Sequence, residues 1–71
     1  MDAITNASTI VKLIKLRAVE NPILRDFIDF QIDNGVIIPG NSTFQEDCEY
    51  LVAGFNTEEL TAMAVAYLLV R

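Results

Sequence analysis

The sequence predicts an all-α fold, a compact bundle of about four short helices that forms one domain over residues 1–71. Three observations support this prediction. The Asn21-Pro22 dipeptide combines a favoured N-cap residue with proline at the first helical position. Apolar residues recur at helical spacing over residues 44–55. A further segment, residues 57–70, is apolar almost throughout and has helix-capping residues before it.

The first predicted helix covers residues 3–19 and carries two apolar stripes. One stripe has the spacing of a core-facing side and consists of Ala7, Ile10, Val11, Ile14 and Ala18. The other stripe, Leu13, Leu16 and Val19, lies among lysine and arginine residues. Because long basic side chains commonly border apolar contact surfaces, we expect this second stripe to contact another chain.

The second predicted helix covers residues 22–33, and part of this segment also fits a strand. Apolar and polar residues alternate before Asn34-Gly35, a pattern typical of a β-hairpin at residues 28–38. A helix accounts for more of the segment, because Gln31 is then the only polar residue outside one narrow charged arc, formed by Arg25, Asp26, Asp29 and Asp33. We therefore predict a helix that stops at Gly35, with the hairpin as the alternative.

A short connector and the third helix follow. The branched residues 36–38 are expected to face the core. The spacing of a capping box occurs twice before the third helix, as Ser42 with Gln45 and as Thr43 with Glu46, and the sequence does not choose between them. The apolar stripe of this helix is Phe44, Cys48, Leu51, Val52 and Phe55.

The last predicted helix, residues 57–70, follows Asn56 as its N-cap. A helix that is apolar on every side is either central in its bundle or covered by another chain. A domain of 71 residues is too small to surround such a helix. We therefore predict that this helix contacts a second chain, through Leu60, Met63, Tyr67 and Leu68.

Acidic residues dominate the second half of the chain. From Asp26 to Val70 there are eight acids and no lysine or arginine, and the formal net charge of the chain is −5. Such a surface repels phosphate, so direct nucleic-acid binding is not expected. We predict an acidic face that steers the protein toward a partner with a basic surface, made of Asp26, Asp29, Asp33, Glu46, Asp47 and Glu49.

The composition argues against catalysis and against a bound cofactor or metal ion. The chain has no histidine, which is the commonest general base and metal ligand. Cys48, the single cysteine, lies on an apolar stripe among acids that suppress its thiolate, so we expect a buried, unreactive thiol. Asp29, Asp33 and Gly35 resemble part of a calcium-binding loop, but Gly40 stands where that loop needs a glutamate.

These observations predict a small acidic protein-binding module, regulatory or inhibitory, that occludes a partner surface without catalysis. Its hydrophobic content of 52% exceeds what a small monomer easily buries, which predicts a homodimer. The chain shows no secretory signal and no apolar run of membrane length, so we expect the cytoplasm and no membrane contact.

Phages and mobile elements encode inhibitors of this general type, an analogy rather than a motif match. Two alternatives stay open. One is an acidic nucleic-acid mimic that occupies a basic nucleic-acid-binding site. The other is a structural subunit of a larger assembly.

Overall fold

The computed structural model describes residues 3–17 and 20–70, with side chains from residue 6 onward. These ranges contain four helices: α1 (Ala3–Lys15), α2 (Pro22–Asp33), α3 (Phe44–Gly54) and α4 (Thr57–Val70). No strand occurs in them, so the all-α prediction is confirmed and the hairpin alternative at residues 28–38 is wrong. Val19, one of the candidate contact residues, and Ala18 lie outside the described residues.

α1 ends earlier than predicted, at Lys15 instead of near residue 19. Arg17 adopts a left-handed backbone with a φ of 48°, which a right-handed helix cannot continue. Its Nη1 donates a hydrogen bond of 2.8 Å to the carbonyl oxygen of Lys15, one of the carbonyls that the helix end leaves without a backbone partner. The described members of the predicted core stripe are all buried: Ala7, Ile10, Val11 and Ile14.

α2 begins and ends as predicted. The side chain of Asn21 accepts a hydrogen bond from the first turn, as an N-cap residue does. At the other end, the N–H of Val36 donates to the carbonyl of Gln31 at 2.9 Å, and the N–H of Gly35 donates to that of Ile32 at 3.1 Å. These two bonds form a Schellman motif, which requires the left-handed backbone that Gly35 adopts at a φ of 76°.

α3 and α4 each begin with a reciprocal pair of capping hydrogen bonds. At α3 the pair is Thr43 with Glu46, whose two bonds between backbone N–H and side-chain oxygen measure 2.9 and 3.2 Å. At α4, Asn56 and Glu59 make the same exchange at 3.0 and 2.8 Å. These bonds satisfy N–H groups that the start of a helix leaves without backbone partners. The structure therefore selects Thr43 over Ser42 as the cap of α3.

The core lies between α1 and α4, the most extensive helix pair, with α2 and α3 closing it. In the connector before α3, Ile37 is buried but Ile38 is 83% exposed, so the expectation that all three branched residues face the core is wrong for Ile38. Val36 is partly buried and packs against the core, so the connector turns outward only after Ile37.

α4 is attached to α2 through Tyr67. The centroid of its ring lies 5.6 Å from those of Phe27 and Phe30, and both contacts are edge-to-face. The Tyr67 hydroxyl donates a hydrogen bond of 2.8 Å to a carboxylate oxygen of Asp26. Such contacts are directional, whereas burial of apolar area is not. They therefore fix the rotation of α4 about its own axis.

Candidate functional site

α4 is apolar on the side that faces away from the core. Its core side carries Leu60, Ala64 and Tyr67, all buried. Away from that side, the spacing i, i+3, i+4 and i+7 aligns a second set of apolar residues: Ala62, Val65, Ala66 and Leu69. Val65 lies at the edge of this set, where it is partly buried and packs against the core. We call these four residues the α4 outer face. Its largest side chain, Leu69, is 75% exposed. The residues at and around this face all belong to α4, so the face is open rather than enclosed. An open apolar surface suits contact with another protein better than binding of a small ligand.

The exposed side of α4 is not the side that was predicted from the sequence to contact a second chain. Leu60 and Tyr67 belong to the protein's own core, so no partner reaches them in this fold. Met63 and Leu68 are partly buried and pack against that core. The sequence could not choose between the sides, because α4 is apolar all round and its periodicity gives no inward direction. The one available signal was the Tyr67 hydroxyl, since a buried tyrosine usually needs a hydrogen-bond partner.

The apolar residues predicted on α1 separate onto two sides. Leu16 is 69% exposed and borders a groove between α1 and α4. This groove, which we call the lysine-rimmed groove, is lined by Ser8, Val11, Lys12, Lys15, Leu16, Thr57 and Thr61. Lys15 donates a hydrogen bond to the Thr57 hydroxyl across it. Because this groove includes Thr57 and Thr61 of α4, it adjoins the α4 outer face.

A second groove contains the other two candidate leucines. Leu13 of α1 and Leu68 of α4 line it together with Ile23, which is exposed at the start of α2. Asn6, Thr9 and Asn21 contribute polar groups, and none of the described residues that line it is charged. We call it the Leu13–Leu68 groove. Leu13 and Leu68 therefore line one groove, while Leu16 borders a different groove.

Two of the three α2 acids interact within the chain. Asp26 accepts the hydrogen bond from Tyr67 and is partly buried. Asp29 forms an ion pair with Arg25, four residues earlier, at 3.3 Å. Asp33 lies exposed in the last turn. An ion pair on a surface has a weaker field at long range than a lone carboxylate, so this helix side attracts cations less than its acid count suggests.

The three α3 acids have three different environments. Glu46 is held in the capping box, and its hydrogen bonds with Thr43 lower the pKa of its carboxyl group. Glu49 lies 3.9 Å from Arg17 in an exposed ion pair. Asp47 is only 5% exposed, and burial raises the pKa of its carboxyl group. Asp47 therefore does not belong to an exposed acidic face, contrary to the prediction.

Cys48 is fully buried, as predicted. Burial, together with the charge of Asp47, raises the pKa of its thiol to about 11, so the thiolate is scarce at neutral pH. The predicted cause was the neighbouring acids, whereas the structure makes burial the larger one. Within residues 3–17 and 20–70, no cluster of three or more histidine, cysteine or acidic residues has the arrangement of a metal site.

Comparison of the chain with protein-family models, with curated proteins and with solved structures found no match in any of the three. None of the helices in the described ranges is both long and apolar enough to cross a membrane. The interaction surfaces of the chain itself are therefore the basis of a functional proposal.

Proposed function

We propose that this protein is a non-catalytic binding module that covers a surface of another protein with its α4 outer face. The observation that carries the proposal is the exposure of an apolar face on the helix that also forms one wall of the core. Exposed apolar surface is stabilised when a partner removes it from water. A side chain such as Leu69 contributes about 1.5–3 kcal/mol when it becomes fully buried.

The residues around the face support a protein partner. Glu58, Thr57 and Thr61 border it on α4, and Lys12 and Lys15 border the adjoining lysine-rimmed groove. Protein interfaces commonly have this organisation, an apolar centre with a polar and charged rim. The apolar centre supplies the contact area, and the rim sets orientation. We keep the regulatory or inhibitory role and the cytoplasmic location as parts of this proposal.

The acidic nucleic-acid mimic is the less favoured alternative. Such a mimic presents carboxylates that are available to the cations of its target. Here Asp26, Asp29, Glu46 and Glu49 each have a hydrogen bond or an ion pair within the chain. A basic target would have to replace these interactions.

The structural subunit is supported by a second apolar surface. The Leu13–Leu68 groove, with its exposed Ile23, involves α1 and α2 as well as α4, away from the α4 outer face. A subunit with two different contact surfaces can extend an assembly beyond a pair. In that case both surfaces would be needed for assembly, whereas the binding module needs only the α4 outer face.

Capture of proteins from a cell lysate by the immobilised chain tests the proposal, with two variants of equal charge. We expect Ala66→Glu to abolish capture, because it introduces a charge at the centre of the face. Asn41→Glu, in the exposed loop before α3, should capture as the wild type does. Capture by the wild type should persist at high salt, since apolar contact is not screened. Equal capture by Ala66→Glu would contradict the proposal, and capture that salt removes would favour the mimic.

A further inference from the structure

We propose that the occupant of the α4 outer face is a second copy of this chain, with the two α4 helices antiparallel and the two-fold axis between positions 65 and 66. The inference rests on the proposed function, because it concerns the same contact surface. Three properties of the described residues carry it: complementary side-chain sizes, complementary charges and the available area.

The α4 outer face is complementary to itself in this arrangement. Positions 62 and 69 lie near the midline of the face and at equal distances from the axis. Each Ala62 therefore lies opposite Leu69 of the other copy, so that a large side chain fills the space over a small one. At the axis the two copies of Ala66 meet on one side and the two copies of Val65 on the other. The alanines allow close approach of the helices.

A parallel pair lacks this complementarity. It would place Leu69 against Leu69 at one end and Ala62 against Ala62 at the other. The first end would be crowded and the second would leave a gap, and both overpacking and cavities are destabilising. The distribution of small and large residues along α4 therefore favours the antiparallel pair.

Two lysines beside the face fit the same arrangement, whereas Glu58, which also borders the face, does not contribute to it. The last carbonyls of α4 carry a partial negative charge. Lys12 and Lys15 lie beside the N-terminal half of α4, where Thr57 and Thr61 line the same groove. Antiparallel pairing brings the C-terminal end of the second α4 to these lysines. Cations are favourable at that end of a helix.

The available area predicts a weak dimer. A helix of 14 residues is about 21 Å long. One side of such a helix offers on the order of 400 Å² per copy, about half of the ~800 Å² per partner of a standard stable interface. The pair should therefore dissociate on dilution. Dissociation exposes the α4 outer face, so self-pairing and binding of another protein would compete for one surface.

Mixing two charged variants tests the register. Ala62→Lys alone and Leu69→Glu alone should each raise the protein concentration needed for dimer formation by about tenfold or more, since each places a charge against apolar side chains at both ends. In a mixed dimer, one end keeps the original Ala62–Leu69 contact and the other joins the introduced lysine to the introduced glutamate. Sedimentation velocity on an equal mixture should recover dimers close to the wild-type concentration dependence.

The control mixes Leu69→Glu with Asn41→Lys. Asn41→Lys adds the same charge as Ala62→Lys but away from the face, so the mixture should form no more dimer than the two variants form separately. Circular dichroism should show wild-type helix content for every variant, as substitution of exposed residues predicts. If the first mixture does not recover dimers, the antiparallel register is overturned. If the wild type stays monomeric at every concentration, self-pairing is overturned. Capture of other proteins that Ala66→Glu abolishes would still support the proposed function in either case.

Discussion

Tyr67 determines which side of α4 faces outward. The helix is apolar on nearly every side, so the burial of apolar area alone stabilises several rotations of it almost equally. The edge-to-face contacts with Phe27 and Phe30 and the hydrogen bond to Asp26 occur in only one of these rotations. A single hydroxyl group therefore bears on the proposed function, because the same rotation turns the α4 outer face to the surface.

Removal of that hydroxyl gives the first prediction. Tyr67→Phe keeps the ring contacts but loses the hydrogen bond to Asp26, so the free energy of unfolding should fall by about 1–2 kcal/mol. Tyr50→Phe is the matched control, because Tyr50 is exposed and its loss of a hydroxyl should change stability by less than about 0.5 kcal/mol. Urea unfolding followed by circular dichroism measures both. Equal stability of the two variants would show that the hydrogen bond does not hold α4.

Asp47 gives a prediction about pH. Burial raises the pKa of its carboxyl group in the folded state above the value in the unfolded chain, which means that folding favours the protonated form. Asp47 therefore does not lower the free energy of unfolding at a pH below the ordinary aspartate pKa. As the pH rises through the folded pKa, ionisation of Asp47 in the buried site destabilises the folded state. Asp47→Asn should accordingly be more stable than the wild type at pH 7.

The pH dependence separates this explanation from a packing effect. In unfolding experiments from pH 7 down to pH 3, the advantage of Asp47→Asn should shrink and disappear as Asp47 of the wild type becomes protonated. An advantage that is the same at both ends of this range would point to packing instead. Glu46 has the opposite shift in pKa, so its contribution is lost on acidification and does not mimic the Asp47 effect.

Environments of single residues were the least predictable part of the sequence. Gln31 and Asp47 are both buried, and the Nε2 of Gln31 has no hydrogen-bond partner within the described structure. A helical wheel places Gln31 among apolar residues, as the one polar residue outside the charged arc of α2. Asp47 has the spacing of a core position too, three residues after Phe44 and four before Leu51, so only its charge led to the prediction of an exposed side chain.

At the scale of helices, the sequence predicted starts better than ends. The starts of α2, α3 and α4 depend on hydrogen bonds between residues three apart, and such signals are fully contained in a short segment. Gly35 marked the end of α2 for the same reason. The end of α1 was missed because arginine at position 17 has no intrinsic preference for the left-handed backbone that it adopts.

The choice between the two possible capping boxes before α3 leads to a prediction about the stability of that helix. Thr43→Ala should lower the free energy of unfolding by about 1 kcal/mol, because it removes the hydroxyl that accepts the N–H of Glu46. Ser42→Ala changes a neighbouring hydroxyl that is exposed and outside the box, so its stability should stay within about 0.5 kcal/mol of the wild type. Thermal and urea unfolding compare the two, and a larger loss for Ser42→Ala would mean that the other box forms in solution.

At the scale of the whole molecule, composition predicted the presence of exposed apolar surface but not its position. A chain of 71 residues with 52% hydrophobic content cannot bury all of its apolar side chains in one thin core. Part of the excess lies on the α4 outer face and in the Leu13–Leu68 groove, and the rest is exposed at separate positions, namely Leu16, Ile38, Tyr50 and Val70. Position depends on how α4 is rotated, and therefore on tertiary contacts that the helix sequence alone does not specify.

Measurement of molar mass by light scattering over a wide concentration series most directly tests the claim that the α4 outer face is a contact surface for a second copy. The mass of the wild type should rise from the monomer value of 7.9 kDa toward twice that value, with little effect of high salt. Ala66→Glu should remain at the monomer value throughout. A wild-type mass that stays at 7.9 kDa up to millimolar concentration would contradict the account, as would an Ala66→Glu variant that associates like the wild type.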